Sequence, residues 1–402
     1  MNSTLKAVMA ITIAIIIGLL GFIGGFGMAR LGPGSSVDPI MATTTGTTDE
    51  VGSRVDEVNE LLRDEALKPP TETSATAGAV QGLLESAGDK YATYFDRKHF
   101  QYFNEDMAGE FGGIGVLLGE KDGTAYVVEV YKDTPAEKGG IKPGDLFSVI
   151  GGITREKWTT EEVVKRVRGK EGTTVKLTMI RPAEKGPHGK PYTVTLTRDK
   201  ITFPNVESSM KPGKVGYIRL GQFNGNATDE ITQAIQSLEK KGAKSFVLDL
   251  RDNPGGALDQ AVTVASLFLE DGVVVRVDER GKPETVYRTE GDKITDAPVV
   301  LLINGNSASA SEIVGGALQD YGRAKLVGEK SFGKGSVQTI KELSFGGAVK
   351  FTNAHYLTPK KRVIDGKGLT PDVVVKMDPE KQADAKTDTQ LKRAIKEAAA
   401  AQ

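Results

Sequence analysis

The segment Asn304-Gly-Asn-Ser-Ala-Ser309-Ala-Ser-Glu312 sets serines where an apolar run, Val299–Ile303, gives way to a helical pattern. A lysine and a glutamine follow on the glycine-rich stretch Ser331-Phe-Gly-Lys334-Gly-Ser-Val-Gln338, with Lys334 25 residues beyond Ser309. These are the parts of a serine nucleophile with an amine base. The chain has no cysteine and only His99, His188 and His355, so a thiol nucleophile is excluded and a histidine base has few candidates. Lysine is the more economical base, and Ser309 with Lys334 is the candidate pair.

Other readings compete at both positions. Ser309-x-x-Glu312 is also a capping box for the helix that follows. Gly328-x4-Gly333-Lys334 nearly forms a phosphate-binding loop, but Gly335 stands where a Ser or Thr must bind magnesium. Ser331-x-x-Lys334 matches a penicillin-binding motif that requires a helix, which Phe332-Gly-Lys-Gly335 breaks. A lysine base works only when neutral, and lowering its pKa from about 10.4 to about 7 costs roughly 4–5 kcal/mol, which burial must supply. Ser309 at a helix N-terminus lies where orphan N–H groups and the helix dipole favour developing negative charge. The glycine-rich loop Arg251-Asp-Asn-Pro-Gly-Gly256 follows another strand, and loops at strand ends are where parallel sheets assemble sites.

The 402 residues are enough for two or three domains, and a formal net charge of -1 without a basic block excludes nucleic acid as the main partner. Ala7–Ala29 is a 23-residue run without an ionisable side chain, long enough to cross a bilayer. It predicts a membrane anchor in residues 1–30, with the cleaved signal peptide of a secreted form as the alternative, and an exported remainder in either case. Gly32–Glu50 is rich in Pro, Gly, Ser and Thr and reads as a tether over 31–50.

The spacing of Val55, Val58, Leu61 and Leu62 predicts a helical N-terminal region over 51–106. Short strands with glycine turns, interrupted by one helix at Thr159–Val167, predict a small barrel-like domain over 107–200. From 201 to 378 strands and helices alternate: Val215–Leu220, a helix bearing Ile231, Ile235 and Leu238, Phe246–Leu250, Leu258–Leu269, Val299–Ile303, Ser309–Tyr321. That order predicts a largely parallel sheet covered by helices. Further strands at Ser336–Ile340, Val349–Leu357 and Val373–Lys376 precede a helical tail within 379–402.

Gly112-Gly-Ile-Gly-Val116, followed by Thr134-Pro-Ala-Glu-Lys-Gly-Gly-Ile-Lys-Pro-Gly-Asp145, resembles a PDZ domain. The resemblance implies that Gly113, Ile114, Gly115 and Val116 turn backbone N–H groups toward a peptide C-terminal carboxylate. It also implies that Val163 and Val167 form the specificity wall, and that Arg168 pairs with the carboxylate, holds the domain against its neighbour, or is simply solvated. With Leu250–Gly256, Ser307–Glu312, Gln319-Asp-Tyr-Gly322 and Phe332–Gln338, the chain as a whole resembles the carboxyl-terminal processing proteases, PDZ-containing serine–lysine enzymes of peptidase family S41.

The resemblance implies an α/β and α+β multidomain protein with a crotonase/ClpP-like protease core. In it Ser309 is nucleophile, Lys334 general base and Gln338 the residue that orients the lysine. The backbone N–H of Ala310 and that of Gly255 or Gly256 form the oxyanion hole. Expected partners are proteins or peptides with accessible C-termini and, through the anchor, the membrane. No cofactor or metal is implied. The N-terminal helices and C-terminal tail are candidate homodimer elements. The side-chain preference of the groove is left open by Thr358-Pro-Lys-Lys-Arg-Val-Ile-Asp365, more charged than the family pattern, and His355 reads as structural. Two rivals are an inactive PDZ scaffold and thioester chemistry on a crotonase-like core.

Overall fold

Strands Ser245–Asp249 and Val299–Ile303 are buried at every residue, as central strands covered on both faces must be. They lie side by side in a six-stranded sheet whose order runs Val206–Lys211, Val215–Leu220, Ser245–Asp249, Val299–Ile303, Ala324–Gly328, Val373–Val374. Only the first pairing is antiparallel; the other four are parallel. The computed structural model describes residues 49–181, 189–202, 205–377 and 387–402. The expected anchor and all but the last two residues of the tether lie outside them. Among the described residues no helix is long and apolar enough to cross a membrane.

Alternation along the central strands divides the core in two. Val299, Leu301 and Ile303 face helices Ala227–Lys240, Leu258–Ser266 and Ala310–Asp320. Val300 and Leu302 face Leu391, Ala394 and Ala398 of the C-terminal helix Thr389–Ala400. Helix Ala227–Lys240 buries Ile231, Ala234, Ile235 and Leu238 as one stripe, and Gly242, at φ +92°, lets the chain leave it. Strands Val206–Lys211, Val273–Glu279 and Ala324–Gly328 extend the sequence expectation, and Ala354–Leu357 pairs antiparallel with Arg276–Glu279.

A second sheet, of Val116–Lys121, Thr124–Val130, Leu146–Ile150, Ile153–Thr154, Thr174–Arg181 and Lys190–Thr197, packs on helix Thr160–Val167. Thr159 and Glu162 close a capping box at that helix start. The core between them holds Trp158, Phe147, Met179, Val163 and Val167.

The chain divides into two compact units. All elements named so far belong to the larger one, formed of residues 101–337 and 354–402. The smaller contains the described residues up to Phe100 together with 338–353. In it, strand Thr93–Phe95 pairs antiparallel with Ala348–Lys350, so the N-terminal helices Asp49–Glu65 and Glu72–Ser86 share a unit with a segment more than 250 residues further along. Helix Asp49–Glu65 leaves Val51, Val55, Val58, Leu61 and Leu62 exposed.

The C-terminal helix is fastened to the sheet by a buried charge cluster. Arg251, just after strand Ser245–Asp249, donates to Asp249 Oδ2 at 2.6 Å and to Asp388 Oδ2 at 2.9 Å, and also reaches Gln390 Oε1 at 3.2 Å. Asp388 caps the helix by accepting the Leu391 N–H at 2.8 Å. Burial alone would raise the Asp249 carboxyl, but the Arg251 charge and hydrogen bonds outweigh it and hold the group below its ordinary value. The stabilisation from Asp249 is therefore present at neutral pH and lost as the pH falls through that depressed value. Arg251→Met leaves two buried carboxylates without their cation, and urea denaturation at pH 7 should show a loss of about 3–5 kcal/mol. The gap from wild type should narrow on acidification, because without Arg251 burial raises the Asp249 carboxyl and it protonates in the variant before it does in the wild type.

Candidate active site

Three serines stand at the helix start, and the fold gives two of them other work. Ser307 is fully buried: its hydroxyl donates to the Leu250 carbonyl at 2.8 Å and accepts the Asn304 N–H at 2.9 Å. Ser311, also fully buried, donates to the Asn253 carbonyl at 3.0 Å. Ser309 is half-buried and has φ +54° and ψ -115°, a conformation L-residues rarely adopt. It is the N-cap of Ala310–Asp320 but not in the extended conformation usual for a cap. Strain of this kind persists only where the surroundings over-determine it, and it clusters at functional sites.

Glu312 supplies part of that determination. Its carboxylate is 0% exposed. Oε2 accepts the Ser309 N–H at 2.9 Å and the Lys334 N–H at 2.9 Å; Oε1 accepts the Ser331 hydroxyl at 2.6 Å and the Gly333 N–H at 2.8 Å. The backbones of the candidate nucleophile and the candidate base thus meet on one oxygen. Burial pushes the Glu312 carboxyl above its ordinary value against the opposing pull of these bonds. The loop carrying Lys334 is further fixed by Phe332 N–H to the Ser307 carbonyl at 3.0 Å, and by the Tyr356 hydroxyl, which donates to the Lys334 carbonyl. A Cβ on Gly335 would lie 2.3 Å from the Asp365 nitrogen, so only glycine lets the loop sit against that turn.

The loop Leu250–Gly256 closes on the same point. Asn253 is buried; its carbonyl accepts the Ala308 N–H at 3.1 Å and its Nδ2 donates to the Leu220 carbonyl at 3.0 Å. A Cβ on Gly255, at φ +104°, would come within 2.7 Å of Ser309 Cβ and 2.9 Å of the Ala310 nitrogen, so the glycine backbone abuts the serine turn directly. The structure separates the two glycines. The Gly255 N–H is taken, donating to Asn253 Oδ1 at 2.9 Å, whereas the Gly256 N–H meets no acceptor among the described residues. Ala310, as the first residue of its helix, has no intrahelical acceptor for its N–H. The N–H groups of Gly256 and Ala310 thus differ from that of Gly255, which Asn253 occupies.

Gln338 falls in the smaller unit, where its Nε2 reaches Thr352 Oγ1 at 3.5 Å.

The expected peptide-binding residues are placed differently from the sequence reading. Val163 is 0% and Val167 6% exposed; both form the inward stripe of an eight-residue helix and face the domain core, which leaves half-buried Val164 as its other apolar residue. Ile114 is likewise buried at 1%. Gly113 ends strand Glu110–Gly113, which pairs with Asp199–Thr202. Gly115, at φ +81°, packs against Thr134, and Val116 is half-buried at the start of its strand. Arg168 lies 3.5 Å from Glu105 and 3.7 Å from Asp106, with its guanidinium 4.3 Å from the Phe111 ring centroid. Asn253 and the fourfold role of Glu312 escaped the sequence reading. The capping-box spacing was the one signal for Glu312.

Comparison with known proteins agrees with this architecture. The family description "Peptidase family S41" matches residues 214–375 and "PDZ domain" matches 126–181. The carboxy-terminal processing protease CtpA of Bacillus subtilis is 36% identical over 331 residues, which cover 82% of this chain and 70% of that protein. The chain belongs to peptidase family S41. A "Probable CtpA-like serine protease" of Staphylococcus saprophyticus is 39% identical over 322 residues, and this S41 chain spans 64% of its length while 79% of the chain is matched. The solved photosystem II D1 C-terminal processing protease is 28% identical, with a TM-score of 0.48 over 84% of this chain and 94% of that one.

Glu312→Gln replaces one acceptor oxygen by an NH2 group that must face two of the four donors. It should cost about 2–4 kcal/mol in urea denaturation, from buried groups left unpaired. A stability equal to wild type would show that the carboxylate is not the tie.

Proposed function

We propose that this S41 chain is a serine endopeptidase that cleaves unstructured or C-terminal protein segments by acyl-enzyme chemistry at Ser309. The observation that carries the reading is the shared Glu312 oxygen on which the Ser309 and Lys334 backbones meet. Lys334, neutral, takes the Ser309 proton as the hydroxyl attacks the peptide carbonyl, and the lysinium returns it to the leaving amine. The N–H groups of Gly256 and Ala310 receive the oxyanion, and Gln338 has the role of orienting the lysine. Water then repeats the sequence on the acyl-enzyme.

The PDZ domain captures the substrate C-terminus, adding it as a strand beside Val116–Lys121. With Val163 and Val167 in the core, side-chain selection there falls to half-buried Val116 and Val164. The apolar run Ala7–Ala29 anchors the enzyme so that its catalytic part works outside the cytoplasm.

Cleavage of fluorescein-labelled casein tests the assignment. Ser309→Ala and Lys334→Ala should each lose at least about 10³-fold in kcat/KM. Ser307→Ala and Ser311→Ala should stay within about tenfold of wild type and lose stability instead, because their hydroxyls tie loops together. Retention of cleavage in Ser309→Ala would transfer the nucleophile to another residue and end this reading.

A further inference from the structure

Burial alternates along the loop that carries Lys334. Ser331 is 6% exposed, Phe332 55%, Gly333 is buried and Lys334 half-buried. Among the described residues of the larger unit, the other phenylalanines, Phe103, Phe111, Phe147, Phe223, Phe246 and Phe268, are all buried or half-buried. A phenyl ring left in water forgoes the favourable transfer that those six have made.

Slack in the loop does not account for this exposure. The Phe332 N–H donates to the Ser307 carbonyl at 3.0 Å, and the Ser331 N–H to the Leu369 carbonyl at 3.1 Å. The Ser331 hydroxyl accepts the Leu369 N–H at 2.6 Å and donates to Glu312 Oε1 at 2.6 Å. Gly333 donates to the same oxygen at 2.8 Å, and its carbonyl accepts the Gly366 N–H at 2.9 Å. A Cβ on Gly368 would lie 2.4 Å from the Ser331 carbonyl oxygen, and one on Gly333 would lie 3.0 Å from the Gly368 nitrogen. The inner side of the loop is therefore filled by backbone, and the ring is held outside it by a fixed chain. The same bonds locate Phe332 beside the chemistry. Ser307, which takes its N–H, lies two residues before Ser309, and Lys334 lies two residues after Phe332. An extended peptide advances only about 3.3 Å per residue, so a substrate whose carbonyl reaches Ser309 carries its adjoining side chains past this turn.

We infer that Phe332 is a specificity-determining residue, whose ring is covered by an apolar side chain of the substrate next to the scissile bond. This rests on the reading of Ser309 and Lys334 as the reacting pair. A phenylalanine on a fixed backbone has only two side-chain torsions to order, so covering it on binding costs little conformational entropy. The selection it supplies is for aliphatic or aromatic side chains at one position of the peptide.

The test maps by mass spectrometry the bonds cleaved in unfolded casein by the full chain and by Phe332→Leu, Phe332→Ala, Phe332→Lys and Ser309→Ala, with thermal melting of each. Wild type should show Leu, Ile, Val, Met or Phe enriched at one fixed position beside the cut, and Phe332→Leu should keep that pattern. Phe332→Ala should lose it, and Phe332→Lys should replace it with Asp and Glu, since an ammonium now meets the side chain. A quenched fluorescent peptide taken from the wild-type map then isolates the pairwise contact. On it Phe332→Ala should lose about tenfold in kcat/KM, and about threefold or less when the enriched residue of the peptide is Ala. The inference is overturned if Phe332→Ala keeps the wild-type map, or if its loss is equal on the two peptides, which marks a role in the loop alone. Enrichment of acidic residues by the wild type would hand selection to the exposed Lys330 and Lys367 and overturn it equally. Cleavage by Ser309→Ala would end the underlying reading together with this one, whereas an inactive Ser309→Ala with unchanged maps for the Phe332 variants would end only the role of Phe332.

Discussion

The Glu312 carboxylate, withdrawn from solvent, accepts hydrogen bonds from Ser309, Ser331, Gly333 and Lys334, and so holds two loops that the chain presents more than 20 residues apart. A buried carboxylate is expensive unless its lone pairs are filled, and here four donors fill them. The same bonds draw Ser309 into a positive-φ conformation that nothing local favours. Cap, strain and loop position are thus consequences of one group, and the glycines at 255, 333 and 335 are what allow the neighbouring backbones close enough for it to act.

Around that tie the fold supplies rigid support from both faces of the parallel sheet. The helix beginning at Ala310 is buried along nearly its whole length, with Ile313, Val314, Ala317 and Leu318 in the main core. From the opposite face the C-terminal helix reaches the Leu250–Gly256 loop through Asp388 and Arg251. Ions in a buried cluster give little net stabilisation compared with apolar packing, but they specify one arrangement when every partner is present. The Leu250–Gly256 loop is therefore set by residues more than 130 positions downstream.

Much of this was legible in the sequence. Fully apolar runs such as Val299–Ile303 identify central parallel strands, and the Ile231, Ile235, Leu238 spacing identifies a helix, because burial imposes those periods directly. Short strands with mixed composition, such as Ala324-Lys-Leu-Val-Gly328, escape notice because their signal is a pairing partner and not a pattern. The choice among Ser307, Ser309 and Ser311 could be made from the sequence only by resemblance; the physical reason is tertiary, since two of the hydroxyls bond to the Leu250 and Asn253 carbonyls. For the same reason the capture of the Gly255 N–H by Asn253, the burial of Val163 and Val167, and the engagement of Arg168 by Glu105 and Asp106 were invisible to spacing arguments. Each depends on which atoms a fold brings within 3–4 Å, and neighbours in sequence do not record that.

The most direct measurement is mass-spectrometric mapping of a fluorophosphonate adduct, which forms only on a serine hydroxyl activated by a base and supported by oxyanion donors. The account predicts a single adduct on Ser309 in the wild-type protein and its loss in Lys334→Ala. An adduct on Ser307 or Ser311, or an undiminished adduct on Ser309 in Lys334→Ala, would contradict it.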